Sequence, residues 1–171
     1  MTIWFDMDGT IADLYSVEGW LPMLRASDPT PYAEAKPLVH LSTLARLIHK
    51  AQSNGYAVGI LSWLAKNSNA EYDKAVTEAK LAWLRKHLPS VAFDAVAIVP
   101  YGFGKYHFNS GNDVLFDDEE RNRNEWDGNA YDVSDLLKGN KSVVAAGSSL
   151  VNAAASLRGL MKQDSDKDGK K

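Results

Sequence analysis

Two short apolar runs in this chain end in paired aspartates, and no other feature constrains it as strongly. Ile3-Trp4-Phe5 leads into Asp6-Met7-Asp8-Gly9-Thr10, and Val114-Leu115-Phe116 leads into Asp117-Asp118. A strand that buries Ile3 and Phe5 projects two carboxylates from its carboxyl end. In open α/β sheets that edge is where ligands bind. Gly9 allows a sharp turn and a close approach of the backbone, and Thr10 is placed to cap a following helix. If the two strands are parallel neighbours, four acidic groups converge. Like charges about 4 Å apart repel by roughly 4 kcal/mol at an effective dielectric near ~20. Such a cluster calls for a cation, a shared proton or a basic partner. A hard cation with oxygen ligands, Mg²⁺, is the simplest resolution.

The rest of the chain reads as alternating strand and helix. Apolar spacing from Leu38 to Gln52 is helical and stops at Asn54-Gly55. Tyr56 to Leu61 reads as a buried strand ending at Ser62, and Asn69 to Leu88 as a long amphipathic helix stopped by Pro89. Phe93 to Val99 is a further strand, followed by the loop Tyr101-Gly102-Phe103-Gly104-Lys105. Asp113 to Phe116 is the strand of the second acidic pair, Glu119 to Trp126 a short helix, and Asn129 to Tyr131 a last short strand. A helical turn is expected at Val133 to Lys138. The alternation predicts a Rossmann-like α/β fold, a parallel sheet with helices on both faces. Asp6, Ser62 and Asp117 then share one edge.

At 171 residues, with 45% hydrophobic and 24% charged residues, the chain is expected to form one soluble domain over residues 1–139. A small insert at about residues 13–37 follows the first strand. Residues 140–161 are expected to form a carboxy-terminal helix, and the charged residues 162–171 a disordered tail. Asp164-Ser165-Asp166-Lys167-Asp168-Gly169 imitates the start of a calcium loop, but the glutamate such a loop needs at its twelfth position is missing. There is no cysteine, which excludes disulfides and thiolate metal sites. No signal peptide and no run of the ~20 apolar residues of a membrane span is seen, so a cytoplasmic location is expected. The net charge of −3 argues against bulk electrostatic binding of nucleic acid, although a local basic stripe stays open. The oligomeric state is not legible.

The Asp6-Met7-Asp8-Gly9-Thr10 segment resembles the first motif of the haloacid dehalogenase (HAD) superfamily of phosphotransferases. Ser62 after Gly59-Ile60-Leu61 resembles the second motif, Lys105 the third and Asp117-Asp118 the fourth. Within the superfamily the likeness is nearest to the 5′(3′)-deoxyribonucleotidase-like group, through Lys80, Trp83 and Leu84 and through Asp118, Asn122, Trp126 and Gly128. The resemblance covers roughly residues 1–135. It implies a Mg²⁺-dependent phosphomonoesterase. Asp6 would attack phosphorus and form an aspartyl-phosphate. Asp8 would protonate the leaving oxygen and then activate water. Mg²⁺ would be held by Asp6, by the Asp8 backbone carbonyl and by Asp117, with Asp118 acting through water or behind the ligands. Ser62 and Lys105 would bind the phosphate.

Read singly, these residues are less telling. Ser62 alone reads as a helix cap and Lys105 as a surface lysine, with Lys66 and Lys80 as competing candidates for the cationic role. His40, His49, His87 and His107 have no metal spacing. The insert is shorter than the helical cap of typical deoxyribonucleotidases. Its Tyr15, Trp20 and Tyr32 can stack on a base or pack the insert against the core; Arg25 and Lys36 can meet a phosphate or face solvent. The expected substrate is a small phosphoester, a nucleoside or deoxynucleoside monophosphate. The alternatives are a polynucleotide-end phosphatase, which a short cap would admit, and a nucleotide-binding protein without turnover.

Overall fold

Valine, isoleucine, leucine and tryptophan dominate the segments that form the sheet, and the sheet is parallel throughout. In the computed structural model, which describes residues 1–132, the chain begins with strand β1 (Thr2–Phe5). The short strand β2 (Ala12–Asp13), a 3-10 turn at Leu14–Ser16, helices α1 (Trp20–Arg25) and α2 (Thr30–Glu34) and the short strand β3 (Lys36–Pro37) form the insert. Then come helix α3 (Leu41–Ser53), strand β4 (Ala57–Trp63), helix α4 (Ala70–His87) and strand β5 (Ala95–Val99). A 3-10 turn at Lys105–Phe108, strand β6 (Val114–Phe116), helix α5 (Glu120–Glu125) and strand β7 (Asn129–Tyr131) complete it. The helix expected at 140–161, the tail at 162–171 and the turn at Val133 to Lys138 lie outside the described residues. Among the described residues no helix is long and apolar enough to cross a membrane.

The sheet order is β5-β4-β1-β6-β7. From β1 the chain winds outward through β4 to β5, then returns to the other side of β1 for β6 and β7. The winding reverses beside β1, and such a switch point opens a crevice at the carboxyl ends of the strands. Register places Ile3 beside Val114 and Phe5 beside Phe116, so Asp6 and Asp117 leave the sheet side by side. β1 and β6 are buried along their lengths apart from Thr2, as two covered faces demand. Phe5 and Phe116 stack with ring centres 5.0 Å apart. Gly59 on β4 is required by Trp4: a Cβ there would strike the indole ring.

Helix α4 starts where Asn69 accepts a hydrogen bond from Tyr72 N at 2.9 Å. Acidic Glu71 and Asp73 sit in its first turn and basic Arg85, Lys86 and His87 in its last, matching the helix dipole. Its buried face carries Tyr72, Val76, Lys80, Trp83 and Leu84. The insert is tied to this face. Trp83 Nε1 donates to Ala35 O at 2.6 Å and Tyr72 Oη donates to Asp28 O at 3.2 Å. Leu14 and Tyr32 of the insert pack with Ala65, Tyr72 and Val76.

Candidate active site

The residues that end β1, β4 and β6 meet at one edge, and two buried lysines divide them. Lys105 enters from the 3-10 turn before β6. Its Nζ lies 3.0 Å from Asp6 Oδ1 and donates to Asp117 Oδ2 at 2.7 Å, with 1% of the side chain exposed. Burial by itself would lower its pKa, but Asp6 and Asp117 raise it above the ordinary lysine value, so it stays charged. Its ammonium also lies 5.0 Å from the Trp63 ring centre. Lys80 enters from the middle of α4 and is fully enclosed. Its Nζ donates to Asp8 Oδ2 at 2.6 Å, to Ser62 Oγ at 2.9 Å and to Trp63 O at 2.7 Å. Three acceptors use all three of its protons.

Asp6, Asp117 and Asp118 each bring a carboxylate oxygen within 4.8 Å of the others, a spacing that can hold a metal ion. The donors are all oxygens, which suits a hard cation. Asp6 Oδ1 is buried, and apart from its ion pair with Lys105 no hydrogen-bond donor is aligned on it. A cation would supply the missing partner. Asp117 is held rigidly: Asn122 Nδ2 donates to both its oxygens at 3.1 Å and Glu119 N donates to Oδ1 at 2.9 Å. Burial, then Asp6, raise the Asp117 pKa to about 6. Burial, then Asp6 and Asp117, raise that of Asp118 to about 7. Buried carboxylates packed this closely raise one another's pKa, and at Asp117 the Lys105 ammonium partly opposes the rise.

Thr10 does not cap a helix. The chain after it turns into β2, and Thr10 Oγ1 instead accepts from Asp118 N at 3.1 Å and lies 3.3 Å from Asp118 Oδ1. Gly9 has φ of +77°, and a Cβ there would collide with the Asp118 carboxylate and the Tyr15 ring. The first acidic loop is therefore shaped against the second.

A cleft of about 470 Å³ opens over this edge. Asp6, Asp8 and Asp118 line it, with Trp63, Lys66 and Tyr101 on one side and Tyr15, Trp20 and Arg25 of the insert on the other. Ser62 has no accessible surface; the direct phosphate contact expected of it has no open face, because what its hydroxyl meets is Lys80. The Asp8 carboxylate is not in the metal-capable trio but turned to Lys80. Burial raises its pKa and Lys80 partly opposes that. Tyr15 is exposed and meets Trp20 edge-on, with ring centres 5.1 Å apart. Tyr32 is buried, its ring 5.0 Å from Lys80 Nζ, so it serves packing more than an open stacking face. Lys36 is exposed in β3 and is not part of the cleft lining.

Lys80 is the site residue that the sequence reading passed over in favour of Lys105. A signal for it exists: Tyr72, Val76, Lys80, Trp83 and Leu84 form one face of α4. A lysine on an otherwise apolar stripe is buried and must find an anion. Asn122, which holds Asp117, was marked only by the resemblance, not by any spacing that foretold this contact.

No family model matches the sequence, and no curated protein matches it. In fold the chain is similar to a chain of a solved structure described as "Structure of Pnkp1/Rnl/Hen1 complex", with a TM-score of 0.50 and 18% sequence identity over 77% of this chain. The match covers 44% of that neighbour, so this chain spans less than half its length. The likeness is one of fold: a five-stranded parallel α/β sheet flanked by helices.

Proposed function

We propose that this chain is a Mg²⁺-dependent phosphomonoesterase of the HAD type, acting on a nucleotide phosphate through an aspartyl-phosphate. The observation that carries this reading is the split between Asp6 and Asp8. Two carboxylates two residues apart have separate partners: Asp6 belongs to the metal-capable trio with Lys105, and Asp8 is held outside it by Lys80. A nucleophile must be ionised and unhindered by its target's charge; an acid must be able to hold a proton. Asp6 has the cations for the first role. Asp8, raised by burial, suits the second.

Asp6, Asp117 and Asp118 would hold Mg²⁺, which when bound neutralises charge on the phosphoryl oxygens. In the first step Asp6 forms a bond to phosphorus as the bond to the leaving oxygen breaks, and Asp8 gives that oxygen its proton. In the second step Asp8 takes a proton from water as the water oxygen bonds phosphorus and frees Asp6. Lys105 offsets charge on Asp6 and Asp117 throughout. Lys80 fixes the Asp8 carboxylate and Ser62 holds Lys80, so both are positioning residues. Phosphate release from nucleoside 5′- and 3′-monophosphates, sugar phosphates and an aryl phosphate, with Mg²⁺ and with EDTA, tests the reading. Metal-dependent release that disappears in folded Asp6→Asn supports it; unchanged release in that variant sinks it.

A further inference from the structure

The described residues expose six large hydrophobic side chains: Tyr15, Leu21, Val96, Tyr101, Phe103 and Tyr106. Tyr15 and Leu21 of the insert line the cleft, as does Tyr101, and Phe103 and Tyr106 continue from Tyr101 along one loop. Solvent exposure of large apolar groups is thus concentrated at and beside the mouth of the site, which marks a binding surface. The loop is built to present them. Gly102 has φ of +79°, and Gly104 lacks a Cβ where one would strike the Tyr106 ring. Trp63 Nε1 donates to Phe103 O at 2.9 Å, fastening the loop to β4. Tyr101 lies against Trp63, with ring centres 5.1 Å apart, and Phe103 and Tyr106 flank His107 at 5.3 and 4.2 Å. From the same loop Lys105 points inward to Asp6.

The cations at this mouth are Lys66, 5.7 Å from the Tyr101 ring centre, and Arg25 of the insert, both of which line the cleft. The carboxylates of this mouth, Asp118 and Glu119, lie in the cleft itself, where a metal ion would offset them. Exposed aromatic faces in series, flanked by a few cations and continuous with a phosphate site, match one ligand chemistry. Bases stack on the rings while the backbone phosphates meet the cations.

We propose that the loop between β5 and β6 is a stacking platform for the nucleotides next to the end of a single-stranded polynucleotide whose terminal phosphate enters the cleft. This rests on the phosphatase reading above and names its substrate class. Phe103 and Tyr106 lie outside the cleft lining, so a mononucleotide held in the cleft would leave them free and only a longer strand would extend to them.

The test compares the full chain with Phe103→Leu and Tyr106→Leu, which keep an apolar side chain and remove the ring. Three quantities are measured: turnover of an aryl phosphate, turnover of a nucleoside monophosphate, and both binding and turnover of terminally phosphorylated single-stranded hexanucleotides, DNA and RNA, 5′ and 3′. The platform predicts a lower KM for a hexanucleotide than for the mononucleotide. It predicts that each leucine variant raises the hexanucleotide KM about tenfold and leaves aryl phosphate turnover in place. With two cations, Lys66 and Arg25, at the cleft mouth, the salt dependence of hexanucleotide binding should be shallow, a log–log slope of about −1.4. Equal kcat/KM for hexanucleotide and mononucleotide overturns the platform, as does equal loss on all substrates in the variants; the phosphatase reading survives both. Ring-dependent hexanucleotide binding with no phosphate release from any substrate upholds the platform and overturns the phosphatase reading. Tighter binding of duplex than of single strand overturns the stacking platform.

Discussion

The two lysine pockets of this site hold the same chemical group in opposite settings. Lys105 bridges two carboxylates that are themselves buried, Asp6 and Asp117, and so completes a charge balance inside the protein. Lys80 is as deeply enclosed, but its carboxylate, Asp8, keeps 17% of its side chain exposed to the cleft, and its other acceptors are a serine hydroxyl and a backbone carbonyl. The first pocket handles surplus negative charge; the second fixes the direction of one acid. A buried ion pair is weak evidence for stability, yet removing one partner is costly because the other charge is stranded. The two lysines should therefore fail in different ways.

The largest expected effect is on Asp6, the proposed nucleophile. Asp6→Asn should lower kcat by about 10⁴-fold or more while thermal unfolding still shows a folded protein. Next come the lysines. Lys105→Met leaves Asp6 and Asp117 facing each other, and should cost about 3–5 kcal/mol of stability in EDTA, much of it recovered in Mg²⁺. Lys80→Met should cost less and gain nothing from Mg²⁺. Because Lys80 lowers the Asp8 pKa, its loss should move whichever limb of the kcat profile Asp8 governs to higher pH. Denaturant melts with and without metal, paired with pH–rate profiles, separate the two; identical behaviour of both variants would end the distinction.

A smaller effect sharpens the charge balance. The pKa values of Asp117 and Asp118 stand at about 6 and about 7, above their unfolded value of 3.8. Groups raised in this way favour the folded state fully below about pH 4 and lose that contribution as pH rises through about 6 to 7. Metal-free protein should thus melt at lower temperature as pH rises across that window. The upward shift caused by Mg²⁺ should grow over the same window, since the ion needs ionised oxygens. Thermal melts between about pH 5 and pH 8 read both trends. The smallest effect concerns the insert. Trp83→Phe removes the bond to Ala35 O and some buried area, for about 1–2 kcal/mol. It should raise KM more than it lowers kcat, because Ala35 belongs to the insert and not to the acidic edge.

The acidic edge was legible in the sequence because two signals coincided there: apolar runs of strand length and carboxylates at their ends. β1 and β6 are parallel neighbours as that pattern implied, and the register brings Asp6 beside Asp117. The helices were legible by period and by their stops, as with Asn69 at the start of α4 and Gly55 after α3. The insert was not. Its helices have six and five residues, too short for a period to emerge, and prolines interrupt them. Nor does a sequence say which face of Tyr32 is covered, since burial there depends on Leu14 and Val76, drawn from different elements. Lys80 was legible as a candidate cation, but its partners were not, for a related reason. Its role depends on Ser62 and Asp8, 18 and 72 residues away, and nothing local announces that pairing.

Asp113 has a consequence for how the molecule assembles. It accepts from Thr2 N at 2.6 Å with one oxygen and from Ser110 N and Oγ with the other, a link across 111 residues. It fastens the start of β1 to the segment that leads into β6, one strand length below the paired acids. A loop that long closes slowly, because its entropy is lost before its contacts form. The two halves of the acidic edge come from opposite ends of the described chain, so no early local structure can contain a working site. Activity should therefore appear with the last phase of refolding, and a chain stalled before β6 docks should hold its helices and lack its chemistry.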